Sequence, residues 1–125
     1  MIDLEKKIIY FGYGDVQVGH SIYSLYFRGF KPSVEVGTMT TKEVIKDNNI
    51  KWLTNKIYLD FRDIQEILAF EELVKQVRNN GGENFTQFKF KDLTLDFSNY
   101  NEKSISIVLM NLSVVRDNLL QVIAC

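Results

Sequence analysis

"IYSLYFRGFKPSVEVG" (residues 22–37) reads as two β-strands around a turn, with one arginine standing among its aromatics. Successive side chains of a strand point to opposite faces. Over residues 21–30, Tyr23, Leu25 and Phe27 therefore share one face, and Ile22, Ser24, Tyr26, Arg28 and Phe30 share the other. The first face is apolar and needs a core to cover it. The second mixes aromatic and cationic groups. A fold organised around sheet is the first implication, and the purpose of Arg28 is the first question.

Upstream, "KKIIYFGYGDVQVG" (6–19) suggests strand, glycine-rich turn and strand. Its glycines, Gly12, Gly14 and Gly19, do not match the G-x-G-x-x-G dinucleotide fingerprint, and the segment precedes a strand where that fingerprint opens a helix. "PSVEVG" (32–37) continues the meander. In "TTKEVIKDNNIKWL" (40–53), Thr40 and Glu43 have capping-box spacing, which predicts a short helix. "NKIYLDFRD" (55–63) alternates Ile57, Leu59 and Phe61 with Tyr58, Asp60 and Arg62, the period of a half-buried strand.

A long helix follows over 63–79, with Asp63 as N-cap and Ile64, Ile67, Phe70, Val74 and Val77 as its apolar stripe. Asn80 and Gly81 suit its C-terminal cap. In "FTQFKFKDLTLDFS" (85–98) the apolar phase changes, since Phe88 and Phe90 are even-numbered and Leu93, Leu95 and Phe97 odd. Either a tight turn at Lys91 and Asp92 makes a hairpin, the preferred reading, or a bulge re-aims one longer strand. "NYNEKS" (99–104) reads as a loop, "ISIVLM" (105–110) as a buried strand, and residues 112–123 as a terminal helix. The pattern is α+β: a single domain spanning 1–125, with an antiparallel sheet carrying two main helices.

The terminal helix is more apolar than a sheet-facing stripe requires. Leu112, Val115, Leu119 and Ile123 form that stripe, yet Val114, Leu120 and Val122 extend apolar surface beyond it, and Arg116 sits among them. Either the chain packs this helix deeply or a second copy covers it, and a homo-oligomer is the expectation.

Composition narrows the function classes. Fifteen basic and sixteen acidic side chains give a net charge of −1, so no overall field attracts a long nucleic acid and any anion contact must be local. The single cysteine, Cys125, excludes an internal disulfide framework and fits a reducing cytosol. The opening "MIDLEKKIIYFGYG" (1–14) is neither signal-like nor long enough to span a bilayer, so a cytoplasmic protein without membrane attachment is expected. His20 stands alone without metal-ligand spacing, and is read as structural or solvent-facing. Asp60, Asp63, Glu66, Glu71 and Glu72 cluster near a helix start, where acids complement the dipole, and no spacing among them marks an acid/base pair. Trp52 reads as a packing anchor. No catalytic residue, metal site or cofactor is expected.

Arg28 then admits two accounts. It lies across Tyr26 and Phe30, or pairs with Asp60 or Asp96, and does no more than that. Alternatively its planar fork of donors clamps an anion such as phosphate, while nearby rings stack on a base.

Three stretches add a resemblance: "SLYFRGFKP" (24–32) with its early arginine, "QFKFKDLTLDFSNYN" (87–101) with its aromatics and Asn99, and "NLSVVRDNL" (111–119) with its late arginine. With chain length and element order, they resemble the first-described family of phage Thoeris anti-defence sponges. Such proteins bind cyclic ADP-ribose signals, including glyco-cyclic ADP-ribose, made by TIR enzymes, and withhold them intact from the defence effector. The resemblance implies binding without catalysis, in the host bacterial cytoplasm, by a homodimer or higher oligomer. It implies that Arg28 and Arg116 clamp phosphates, that Phe88 or Phe90 stacks on adenine with Tyr26 nearby, and that Asn99 hydrogen-bonds the base or a ribose. It also implies a separate site for cyclic oligonucleotides, for which Arg62 and Lys56 are the basic neighbours.

Two charge-assisted arginine contacts and one stack contribute about 4–9 kcal/mol together. Nanomolar affinity needs about 12 kcal/mol, so further buried contacts are required. The competing expectations are a small inhibitor or immunity protein that blocks another protein, a small nucleotide hydrolase, and a purely structural assembly protein.

Overall fold

The computed structural model describes residues 1–124, with side chains through Val122. Cys125 and the Ile123 side chain, both invoked from the sequence, lie outside the described residues. In chain order the elements are β1 (Ile2–Asp3), β2 (Ile8–Tyr10), β3 (Val16–His20), β4 (Ser24–Lys31), α1 (Lys42–Asp47), β5 (Lys51–Trp52), β6 (Ile57–Asp60), α2 (Ile64–Asn80), β7 (Gln87–Phe90), β8 (Leu93–Asp96) and α3 (Glu102–Ala124).

The architecture is α+β, and its strands divide between two sheets where a single one was expected. One sheet runs β1-β2-β8-β7, and its β2–β8 pair is parallel. The other centres on β4, with β3 along one edge and β6 and β5 sharing the other. The remaining ladders are antiparallel. Phe11 joins the sheets, stacking on Phe97 at 4.5 Å and meeting Phe27 edge-on at 5.8 Å.

Alternation in the middle of β4 is as the sequence indicates, although Ser24 and Phe30 on the second face are also buried and Tyr23, expected on the core face, precedes the strand and is exposed. Leu25 and Phe27 are fully buried, while Tyr26 and Arg28 face the other way and stay partly exposed. β6 follows the same rule, with Leu59 in the core and Tyr58 outside. In α2, the Asp63 side chain accepts from the Glu66 N–H at 2.9 Å, and Gly81 closes the helix at φ 58°. That left-handed conformation is one glycine adopts without a Cβ penalty. Ile67, Phe70, Val74 and Val77 are fully buried. β7 and β8 form a hairpin, and Lys91 takes φ 56° in the turn, which resolves the phase change.

Three expectations need correction. The second strand expected at "PSVEVG" is absent: β4 ends at Lys31, and residues 32–41 run as bends and a turn to α1. The first cap belongs to Thr41, whose hydroxyl accepts from the Val44 N–H at 3.2 Å, and not to Thr40, which is engaged with Gln17. More consequentially, residues 105–110 are helical, so the terminal helix expected over 112–123 begins at Glu102. A six-residue apolar run suits a buried strand and a buried helix equally. The arbiter is Asn101, whose side chain accepts from the Lys103 N–H at 2.9 Å and starts the helix early. Ile105, Val108, Leu112, Val115 and Leu119 then make one continuous stripe in the core. Over Glu102–Val122 this helix is long and apolar enough by length and composition to cross a membrane, with mean hydropathy 1.3. In this fold it packs against β3, β4 and α2.

Candidate functional site

β3 is an edge strand, and its free side opens into a cleft of about 390 Å³. The cleft is bounded by β3, by residues 38–41 and by Ile107, Met110, Asn111 and Val114 of α3. Mostly apolar walls with a few convergent polar groups are the usual character of a small-molecule site.

The polar groups can be assigned from their partners. Asn111, only 9% exposed, donates from Nδ2 to the Ile107 carbonyl at 2.8 Å and approaches the Val18 carbonyl at 3.5 Å. Two carbonyls around one amide nitrogen orient the side chain, so its Oδ1 accepts from His20 Nδ1 at 2.7 Å. His20 Nδ1 is thereby the donor in this bond. Gln17 Nε2 donates to Thr40 Oγ1 at 2.7 Å, which leaves the threonine hydroxyl proton free to be donated. Gln17 Oε1 is buried without a partner.

Tyr26 reaches the cleft because Gly19 opposite it has no side chain. A Cβ there would lie 2.2 Å from Tyr26 Cζ. Tyr26 also belongs to the face of β4 that prompted the first question. Cross-strand neighbours share a face, so Gln17, Arg28, Tyr26 and Tyr58 lie together. Lys56 Nζ sits 4.4 Å over the Tyr26 ring. The Arg28 guanidinium lies 4.0 Å over Trp52 and donates from Nε to the Thr54 carbonyl at 3.3 Å. Neither Asp60 nor Asp96 pairs with it, and among the described residues no carboxylate makes an ion pair with Arg28. Trp52 is the packing anchor expected, seated edge-on against Phe30 at 5.9 Å and serving as the platform for this cation.

The other candidates lie elsewhere. Arg116, on the helix that covers the core side of β4, pairs with Glu71 of α2 at 3.4 Å and approaches Asp117 at 4.0 Å. The fold therefore does not bring Arg28 and Arg116 together within one chain. Phe88 is 7% exposed and packs on Phe70 at 5.7 Å, and Phe90 meets the same ring at 5.3 Å. Both serve the packing between α2 and the β7–β8 hairpin. Asn99 donates to the Gly12 carbonyl at 2.8 Å and latches the turn between β2 and β3. Of the six residues named from the sequence, Tyr26 and Arg28 are neighbours on one face, Phe88 and Phe90 are neighbours in packing, and Asn99 and Arg116 stand apart.

The lining residues Gln17, His20, Met110 and Asn111 were not reached by sequence reasoning as members of a site. One signal was present: Asn111 is a polar residue beside the 108–112–115 apolar stripe of α3, where a buried amide needs partners. Elsewhere, Glu66 accepts from the Arg62 backbone N–H and pairs with Lys91, and these contacts hold its carboxyl below the usual range. Among the described residues no group of three or more His, Cys, Asp or Glu side chains is arranged to hold a metal ion. Neither a family model, nor a curated protein, nor a solved structure matches this chain.

Proposed function

We propose that this protein binds an anionic nucleotide of the cyclic ADP-ribose type and withholds it intact, in the manner of an anti-defence sponge. The resemblance supplies the ligand class and the absence of turnover. The observation that carries the reading onto the structure is Arg28, a guanidinium platformed on Trp52 without a carboxylate partner, on the face that Tyr26 connects to the cleft. Guanidinium recognises phosphate through paired, charge-assisted hydrogen bonds. Lys56 adds a second cation on that face.

Self-association belongs to the same proposal. Met110, Leu120 and Val122 on α3 are 51%, 46% and 54% exposed, as is 43% of Leu68 on α2. A second copy covering them supplies additional buried contacts, and is the route by which Arg116 would enter a shared site. These same apolar residues favour the second reading, a small inhibitor that blocks another protein by docking through α3.

Titration with cyclic ADP-ribose isomers by calorimetry, followed by heat denaturation and mass spectrometry of the released nucleotide, tests the proposal. Tight binding with the ligand recovered unaltered supports it. Recovery of a cleaved product would replace the sponge with an enzyme, and no binding by any isomer would leave the protein-blocking reading.

A further inference from the structure

The β3–β4 ladder determines where the main-chain groups of β3 point. Phe30 N–H donates to the Asp15 carbonyl at 3.0 Å, and Ser21 N–H to the Ser24 carbonyl at 2.9 Å. Hydrogen-bonded and non-bonded pairs alternate in an antiparallel ladder. Gln17 and Gly19 therefore bond toward β4, whereas Val16, Val18 and His20 turn their N–H and C=O groups to the free edge. Backbone groups on an open edge are strong and directional, and they seek partners. Here they line an apolar cleft.

The edge is not open along its length. Asn111 covers the Val18 carbonyl at 3.5 Å, and the cleft is closed on its flanks by residues 38–41 and α3. An added β-strand would need successive carbonyls and N–H groups along the edge, and Asn111 interrupts that series. Beside Asn111 the edge keeps the Val16 N–H and C=O and the Val18 N–H on one side and the groups of His20 on the other, and the Val16 carbonyl with the Val18 N–H, two residues apart on the same side of the strand, forms a compact acceptor–donor pair. An acceptor beside a donor matches a small planar group that presents a donor beside an acceptor.

We infer that the Val16 carbonyl and Val18 N–H at the edge of β3 bind the amidine edge of an adenine-type heterocycle. The exocyclic amine donates to the Val16 carbonyl, and the adjacent ring nitrogen accepts from the Val18 N–H, which selects isomers closed through the riboses, such as glyco-cyclic ADP-ribose, whose ring nitrogen is unsubstituted. Met110 and Ile107 supply apolar wall, and Tyr26 closes the end of the cleft over Gly19. This inference rests on the nucleotide-binding reading and adds to it the location of the base, on main-chain atoms that no side-chain motif advertises. It moves base recognition away from Phe88, Phe90 and Asn99, whose side chains are engaged in packing and in the Gly12 latch.

Adenosine and purine riboside are the probes, since they differ by the exocyclic amine alone and carry no phosphate. Titration of the ¹⁵N-labelled protein followed by amide NMR is expected to shift the Val18 N–H on adenosine addition, with purine riboside binding about tenfold more weakly for loss of one buried hydrogen bond. Met110→Trp, at a surface-accessible position, is expected to fill the cleft and weaken adenosine binding at least as much. Arg28→Ala is expected to weaken glyco-cyclic ADP-ribose binding, a loss that reads the phosphate clamp and is separate from the amine dependence of nucleoside binding. Equal affinities for the two nucleosides, no adenosine binding, or shifts confined to the Arg28 face would overturn the inference. So would Val18 shifts that follow protein concentration and not nucleoside, which would place a second copy on the edge. Adenosine binding without glyco-cyclic ADP-ribose binding would remove the phosphate clamp and keep the base site, so the two ideas fail separately.

Discussion

Arg28 and Arg116 are both arginines set in apolar sequence, yet the fold treats them in opposite ways. Arg116 lies in the seam between α2 and α3 and is met by Glu71, itself bonded to Lys75. Its charge is answered within the chain. Arg28 is met by an indole face and one carbonyl, which orient a guanidinium without neutralising it. On the proposed function, an arginine held in place and, among the described residues, not paired with a carboxylate is available to an anion from outside. The contrast separates a proposed ligand site from a joint between helices, though the two are indistinguishable as letters in a chain.

The sharpest way to test the seam is to hollow it. Leu112→Ala, at a position 1% exposed, is expected to cost about 2–5 kcal/mol in urea unfolding, from lost transfer energy and the cavity left behind. A cost under 1 kcal/mol would mean that α3 is not the structural element described. On the other side of the comparison, Arg28→Ala is expected to weaken cyclic ADP-ribose binding by about 1.5–3 kcal/mol, or roughly 10–150-fold, with little change in melting temperature. Unfolding by this substitution would reassign Arg28 to the structural class.

Arg116→Ala should have a smaller effect, about 0–1 kcal/mol of stability, because its side chain is 37% exposed and the pair is screened by solvent. Ligand affinity is expected to hold in the monomer. If affinity falls only under conditions where the protein self-associates, Arg116 belongs to a site completed by a second chain. The smallest effect is a pH dependence. The Arg62 N–H and Lys91 hold the folded-state pKa of Glu66 below its ordinary value, so the contribution is present above that value and lost as pH falls through the folded one. Stability should therefore decline on acidification below about pH 4.5, and Glu66→Gln should make that decline shallower in a pH series of chemical melts.

Much of this architecture was legible because local rules and tertiary packing agree. β4, β6 and α2 each carry one periodicity, and α2 has both of its caps in the sequence. The hairpin at Lys91 was legible as a break in phase. The site was legible only in part. Arg28 and Tyr26 could be placed on a common face by counting, but Trp52 approaches Arg28 from a separate strand, and no local rule specifies that pairing. Phe88 and Phe90 have the composition of a stacking platform and the environment of a core, because α2 presents Phe70 directly against them.

Periodicity and capping chemistry are properties of neighbouring residues, so helix, strand and the inward side of each could be read along the chain. The run at 105–110 shows where that ends: its apolar residues suit either state, and in α3 the helical choice goes with the Asn101 cap and with a stripe that continues from Ile105 to Leu119 in the core. The division into two sheets, the unpaired edge of β3 and the neutralisation of one arginine but not the other all depend on contacts between distant segments. Those contacts are a matter of three-dimensional proximity, and the linear pattern does not encode them one residue at a time.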